Sequence, residues 1–178
     1  MKKDISFWQT LGFLFTAIAG TLLHFLYEFT NYNPIAAWIS GVNESTWEHM
    51  KLLYFPLFLV AVLQRGLLQK HKNFWRIKLL GTTLGLLSIP VLFYTYNGAI
   101  GPSPDWLNIT IFFVAAALTF WSETRLFQRY SHAPCNQSLY FAVFCFIGVL
   151  FLLFTFLPPR LPLFMDPITH TYGVGVIR

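Results

Sequence analysis

Long apolar stretches without a fixed charge recur along the chain. Residues 5–27, 79–104 and 130–159 contain no Asp, Glu, Lys or Arg, and the shorter stretches 52–64 and 106–122 are likewise uncharged. A helix needs roughly 20 apolar residues to cross a bilayer core about 30 Å thick. The pattern therefore predicts five membrane-spanning helices, at about residues 6–28, 46–69, 77–97, 105–126 and 137–157, followed by a tail at 158–178.

Composition supports a membrane protein and argues against several other classes. Hydrophobic residues make up 56% of the 178 residues and charged residues 11%, whereas an ordinary soluble domain has about 25% charged residues. A soluble enzyme, a disordered chain and a nucleic-acid-binding protein are therefore poor interpretations. We expect an all-α polytopic membrane bundle that forms one domain over residues 1–178 and contacts membrane lipid. Assembly into a homo-oligomer stays open.

The basic residues predict the side of the membrane on which each loop lies. Cytoplasmic loops carry an excess of Lys and Arg. Nine of the twelve basic residues lie on one side of the predicted spans, namely Lys2, Lys3, Arg65, Lys70, Lys72, Arg76, Lys78, Arg125 and Arg129. This bias predicts that the N-terminus is inside and that the C-terminal tail is extracytoplasmic.

The first span has a second interpretation, as a cleaved signal peptide. Lys2 and Lys3 provide a basic start, and the tripeptide 17–19, Ala-Ile-Ala, resembles a small-residue cleavage site. However, the apolar run continues past this tripeptide to Leu26. We therefore expect the segment to remain as a membrane helix.

Ionisable residues gather where the first predicted span ends and the second begins. His24 and Glu28 lie one helical turn apart in the first span, and Glu44 and His49 flank the start of the second. Ionisable groups at membrane depth are costly and are by default functional candidates. Because mixed His and carboxylate ligation suits zinc and related divalent transition metals, we predict that these four residues bind a metal. A hydrogen-bonded lid without a ligand is the structural alternative.

The segment Ser45-x-x-Glu48 before an apolar run is typical of a capping box. In that motif Ser45 accepts a hydrogen bond from the Glu48 N–H, and the Glu48 carboxylate accepts one from the Ser45 N–H. This interpretation gives both residues a structural role and leaves the Glu44 carboxylate outside the helix.

The C-terminal tail is too rich in proline to form a sixth span, yet it is apolar. Its prolines are Pro158, Pro159, Pro162 and Pro167. We expect the tail to fold back over the bundle, because it contains too many apolar residues to remain in water. This would bring Asp166 and His170 toward the other polar groups, where either residue would act as a general acid or base.

Three segments resemble a known group of proteins: HFLYEF at 24–29, NESTWEHMKLLYFP at 43–56 and PLFMDPITHTYGV at 162–174. They are similar to a family of small bacterial integral-membrane proteins of unknown function. The resemblance covers the whole length. It implies a multi-pass protein of the bacterial cytoplasmic membrane, and it implies no activity.

Two classes of function fit these observations. The leading hypothesis is a polar site at the outer face, containing a metal, that acts on a lipid or another membrane-associated substrate. The alternative is a small transport or ion-binding module, in which His24 and Glu28 are coupled to protons or cations and Pro56 and Pro90 kink helices along a pathway. A subunit of a membrane complex without catalysis is a further possibility.

Overall fold

A computed structural model describes residues 2–68, 71–129 and 136–174. These residues form five α-helices and two short 3₁₀ helices, η1 (Ala36–Trp38) and η2 (Pro162–Phe164). The α-helices are α1 (Lys2–Phe29), α2 (Thr46–Leu67), α3 (Phe74–Ala99), α4 (Asp105–Arg129) and α5 (Gln137–Phe156). All five are long and apolar enough to cross a membrane. The predicted all-helical membrane bundle is therefore confirmed, whereas its orientation stays a prediction.

Helix α2 is the centre of the bundle. It packs against each of the other four helices, and α1, α4, α3 and α5 follow one another around it. It also has the largest buried share of the five helices. The short helix η1 contacts both α1 and α5, so it closes the ring at the end where α2 begins. Side chains in the first turns of α2 therefore lie where the helices of the bundle come together.

Small residues allow α4 to approach its neighbours closely. A Cβ atom added at Gly20 of α1 would lie 3.1 Å from the Leu52 carbonyl oxygen, and it would overlap the Phe112 ring. A Cβ at Gly85 of α3 would lie 3.0 Å from the Ala115 carbonyl oxygen. Such contacts are typical of helix packing in membranes, where small residues let backbones come together.

The C-terminal tail lies against the start of α2. Phe164 packs on the Trp47 ring, with 4.7 Å between the ring centroids. The Asn43 side-chain amide donates a hydrogen bond of 3.0 Å to the Gly173 carbonyl oxygen. The tail thus folds back over the bundle, as its apolar composition predicts, and covers the loop that connects η1 to α2.

Candidate functional site

Three of the predicted metal ligands come together where α1 ends and α2 begins. Ser45 is the N-cap of α2 and accepts a hydrogen bond of 3.3 Å from the Glu48 N–H. This cap fixes the start of the helix, so that Glu44 lies just outside it and His49 lies in its first turn. His24 reaches the same point from the C-terminal part of α1.

The ligating atoms of these three residues converge around the Glu44 carboxylate. His24 Nε2 lies 3.7 Å from Glu44 Oε1, and His49 Nε2 lies 3.5 Å from Glu44 Oε2. One ligand atom from each residue lies within 4.8 Å of the other two. The side chains of His24, Glu44 and His49 are 30, 41 and 19% exposed, respectively. We call these three residues the His2Glu group.

The position of the proton on His49 follows from its other contact. His49 Nδ1 lies 3.0 Å from the Ser45 carbonyl oxygen, which only accepts hydrogen bonds. The proton therefore resides on Nδ1, and a neutral His49 has its Nε2 lone pair directed toward the Glu44 carboxylate. A lone pair and a carboxylate repel each other unless a proton or a cation lies between them.

The spacing of the His2Glu group suits a metal ion better than direct hydrogen bonds. Separations of 3.5 and 3.7 Å exceed the 2.7–3.2 Å of an N–H···O hydrogen bond. Tetrahedral zinc with ligand distances of about 2.0–2.1 Å requires roughly 3.3 Å between its ligand atoms. The three ligand atoms lie within 4.8 Å of one another, so the side chains would have to move closer together to reach that separation.

Two cavities meet at this group. The larger, of about 440 Å³, lies between α1, α2 and α4 and is lined by His24, Glu44 and His49 together with apolar side chains. The smaller, of about 200 Å³, lies between α2, α3, α4 and the tail. Glu44, His49 and Asn108 line both cavities. Molecules in either cavity would therefore contact the His2Glu group.

Glu28 does not join this group. Its side chain is exposed on α1, and it is absent from the set of ligand atoms that converge. The one-turn spacing from His24 places it nearer the end of the helix, whereas Glu44 reaches the histidines from the loop. The predicted set of four ligands is thus reduced to three in the structure.

The structure places Asp166 and His170 in a turn of the tail rather than in either cavity. Asp166 is buried, and its Oδ1 accepts hydrogen bonds from the N–H groups of Ile168 (2.7 Å) and Thr169 (3.2 Å). Its Oδ2 lies 3.4 Å from the Glu44 backbone nitrogen, which donates to it. His170 is exposed and has a positive φ of 55°. Asp166 therefore organises the turn and the Glu44 backbone, and the acid–base role of Asp166 or His170 stays a prediction.

The Ser45 half of the predicted capping box is present, but the Glu48 half is wrong. The Ser45 N–H donates to Asn43 Oδ1 at 2.9 Å. The Glu48 carboxylate instead lies 2.5 Å from the Lys51 ammonium. The start of α2 is itself buried, and a carboxylate in a low-dielectric interior is stabilised far more by an ammonium than by a backbone N–H.

Sequence reasoning missed the polar network that surrounds this pair. Glu48 Oε1 accepts a hydrogen bond of 2.8 Å from the Thr155 hydroxyl, and Glu48 Oε2 accepts one of 3.2 Å from the Val42 N–H. The Lys51 ammonium also donates to the Ala37 carbonyl oxygen (3.0 Å) and to Thr155 Oγ1 (2.8 Å). Glu48, Lys51 and Thr155 are at most 2% exposed. We call these three residues the buried triad; the i, i+3 spacing of Glu48 and Lys51 was its signal in the sequence.

A second buried ion pair corrects the assignment of a basic residue. Lys78 is one of the nine basic residues from which the cytoplasmic side is predicted, yet its side chain lies inside the bundle and is 1% exposed. Its ammonium lies 2.5 Å from Glu123 Oε2, and Glu123 is 0% exposed. Opposite charges on neighbouring spans are usually paired, which was the signal available. Among the described residues, Glu123 Oε1 and the Gln9 side chain lie beside each other without a hydrogen bond of ordinary geometry.

The chain belongs to a family of unknown function, DUF6512, which matches residues 1–174. Membership of an uncharacterised family is thus confirmed for nearly the whole chain. No curated protein and no solved structure matches this sequence.

Proposed function

We propose that this multi-pass member of a family of unknown function binds a divalent transition metal, zinc before others, through His24, Glu44 and His49. We further propose that the metal serves hydrolysis of a lipid or another membrane-associated substrate. The observation that supports the proposal is the convergence of three possible ligand atoms beside two cavities. The predicted orientation would place this site at the outer face of a bacterial cytoplasmic membrane.

The donor set matches what a catalytic zinc site needs. Two imidazoles and one carboxylate supply three protein ligands and leave one position open, as in other hydrolytic zinc sites. The Nδ1–H of His49 donates to the Ser45 carbonyl oxygen, and such a contact fixes the tautomer and the ring orientation of a metal ligand. A bound metal would supply Lewis acidity and a water of lowered pKa at this position.

We propose that the Asn108 side-chain amide donates a hydrogen bond to the carbonyl group of the substrate that reacts. It lines both cavities beside Glu44 and His49. Its Oδ1 accepts a hydrogen bond of 2.8 Å from the Ser103 hydroxyl, which orients the amide and leaves Nδ2 to donate to a ligand. In the proposed hydrolysis, water adds its oxygen to the acyl carbon, the bond to the leaving oxygen or nitrogen breaks, and the leaving group takes up a proton.

A second candidate function, an ion- or proton-conducting module, is favoured by a different observation. Thr16 and Thr82 are buried inside the bundle, and each has a side-chain hydroxyl without a hydrogen-bond partner among the described residues. Such atoms would suit water or an ion along a pathway. Proteoliposomes containing the protein should then show a pH- or cation-dependent flux, which the metal-site proposal does not require.

The metal site is tested by elemental analysis of protein purified without a polyhistidine tag. We expect about one zinc per chain in the wild type, and loss of the metal in Glu44→Gln and His49→Gln, since each variant removes one of three ligands. Glu28→Gln is the matched control, because it removes a nearby carboxylate outside the group and should keep the metal. Stoichiometric metal in all four proteins, or in none, would contradict the proposal.

The hydrolytic step is tested separately on a total membrane lipid extract. Metal-loaded wild type should generate free fatty acid detectable by mass spectrometry, whereas His49→Gln and chelator-treated wild type should not. Metal binding without any lipid product would retain the metal site and remove the hydrolase.

A further inference from the structure

We propose that the occupant of the two cavities is an acyl lipid with an uncharged polar group, of the kind represented by a monoacylglycerol. Its hydrocarbon chain lies in the larger cavity, and its hydroxyl-bearing end lies in the smaller one. The inference deepens the proposed function, because it names the substrate class of the same site, but lipid binding does not itself need the metal.

The larger cavity opens sideways, toward the hydrocarbon of the membrane. Its wall is formed by Thr21 and Phe25 of α1 and by Ile109 and Phe113 of α4. Phe25, Ile109 and Phe113 are 44, 58 and 37% exposed on the outside of the bundle. Since the solvent around these helices is lipid, a chain can pass from the bilayer into the cavity between α1 and α4 without crossing water.

The smaller cavity is lined by neutral polar side chains that bond mainly to one another and leave Asn108 Nδ2 to donate to a ligand. The Ser103 N–H donates to Asn97 Oδ1 at 2.8 Å, and the Ser103 hydroxyl donates to Asn108 Oδ1 at 2.8 Å. These residues connect the end of α3 to the start of α4, and all three line the cavity. Hydroxyl and amide groups of this kind suit a ligand that carries hydroxyls rather than a charge.

In the absence of a metal, the side-chain charges around both cavities disfavour an anionic headgroup. Among the described residues no Lys or Arg lines either cavity, and the Glu44 carboxylate lines both. Phosphate is normally held by Arg or Lys through charge-assisted hydrogen bonds. In the metal-free protein a phospholipid headgroup would meet the Glu44 carboxylate and no cationic side chain, so charge complementarity favours an uncharged lipid there.

A photoreactive monoacylglycerol with a diazirine in its chain tests this inference in nanodiscs of zwitterionic lipid. We expect crosslinks on α1 and α4 peptides that contain Phe25 or Phe113. Thr21→Trp should reduce the labelling about tenfold by filling the cavity entrance. Ile18→Trp is the matched control, because Ile18 is 63% exposed on the same helix and does not line the cavity, and it should leave the labelling unchanged.

Competition by unlabelled lipids distinguishes an uncharged headgroup from an anionic one. With metal-free protein, unlabelled monoacylglycerol should displace the probe at about tenfold lower concentration than lysophosphatidic acid with the same chain. Equal competition by the two lipids, labelling spread evenly over the bundle, or equal labelling of Thr21→Trp and wild type would overturn the inference.

The same labelling in Glu44→Gln separates this inference from the proposed function. Specific labelling that persists while the metal is lost supports a lipid site independent of the metal. Metal binding in a wild type whose labelling is non-specific would overturn the lipid inference and leave the metal site standing.

Discussion

Two groups of ionisable residues lie side by side at the start of α2, and they differ in how completely they are paired. In the buried triad, the Glu48 carboxylate and the Lys51 ammonium contact each other, Thr155 and backbone groups, and they are almost inaccessible. In the His2Glu group, the Glu44 carboxylate lies 3.5–3.7 Å from two imidazoles and is 41% exposed. Residues adjacent in sequence thus belong to very different environments.

The difference indicates which group is structural and which can bind a ligand. A buried charge that is fully hydrogen-bonded must lose its partners before it can bind anything else, and this is expensive. A half-exposed group with unsatisfied lone pairs can accept a metal ion at little cost in existing contacts. Both groups contain a Glu near the start of α2, so residue type alone does not separate them.

The largest effect should come from breaking the buried triad. Lys51→Met leaves the Glu48 carboxylate buried without its cation, and we expect it to lower the free energy of unfolding by about 3–5 kcal/mol. Denaturation of the purified protein in detergent measures this change. Glu44→Gln is the matched comparison and should change the stability of the metal-free protein by less than about 1 kcal/mol. Equal stability of the two variants would refute the distinction.

The second buried pair sharpens the comparison, because it is less completely satisfied. Glu123 Oε1 makes no hydrogen bond of ordinary geometry in the described part of the chain, where the Gln9 side chain lies beside it. Replacing both charges, as in Lys78→Met with Glu123→Leu, should leave stability unchanged or raise it by about 1 kcal/mol. The double variant Lys51→Met with Glu48→Leu should instead be destabilised, since the Val42 N–H and the Ala37 carbonyl oxygen lose their partners. Similar changes in both double variants would show that hydrogen-bond saturation is not the cause.

A smaller effect is expected from replacing Ser45, the N-cap of α2, which contacts both Glu48 of the buried triad and His49 of the His2Glu group. Ser45→Ala removes the acceptor for the Glu48 N–H and should cost about 1 kcal/mol. Because the substitution keeps the backbone carbonyl of residue 45, its contact with His49 Nδ1 remains. The metal content should therefore be retained. Thermal melting and elemental analysis of the same sample check both parts. A Ser45→Ala protein of normal stability that has lost the metal would contradict this assignment.

The helices and the meeting of His24, Glu44 and His49 could be predicted, because both follow from the pattern along the chain. Uncharged stretches mark the spans, and consecutive spans return the end of one helix to the start of the next. The partner of Glu48 could not be predicted, since the capping pattern is local whereas the burial of Lys51 depends on α5 and η1. For the same reason, the burial of Lys78 became apparent only once α3 was packed against α4.

The smallest effect concerns His71, which lies between α2 and α3, far from both groups in sequence. Partial burial of its ring, 5.1 Å from the Phe127 ring, lowers its pKa below the ordinary value of 6.5. The folded state therefore resists protonation, so stability should be complete above about pH 6.5 and decrease as the pH falls below it. His71→Gln should show a slightly weaker loss of stability between neutral and mildly acidic pH than the wild type. Identical pH profiles of the two proteins would exclude this contribution.

The most direct test of the central claim is X-ray absorption at the zinc edge of metal-loaded protein. We expect nitrogen and oxygen ligands at about 2.0–2.2 Å, with scattering from two imidazoles in the wild type and in Glu28→Gln. The double variant His24→Gln with His49→Gln should lose the imidazole scattering and the stoichiometric zinc. Zinc retained by that variant, or a wild-type spectrum without imidazole scattering, would contradict the claim that the His2Glu group binds the metal.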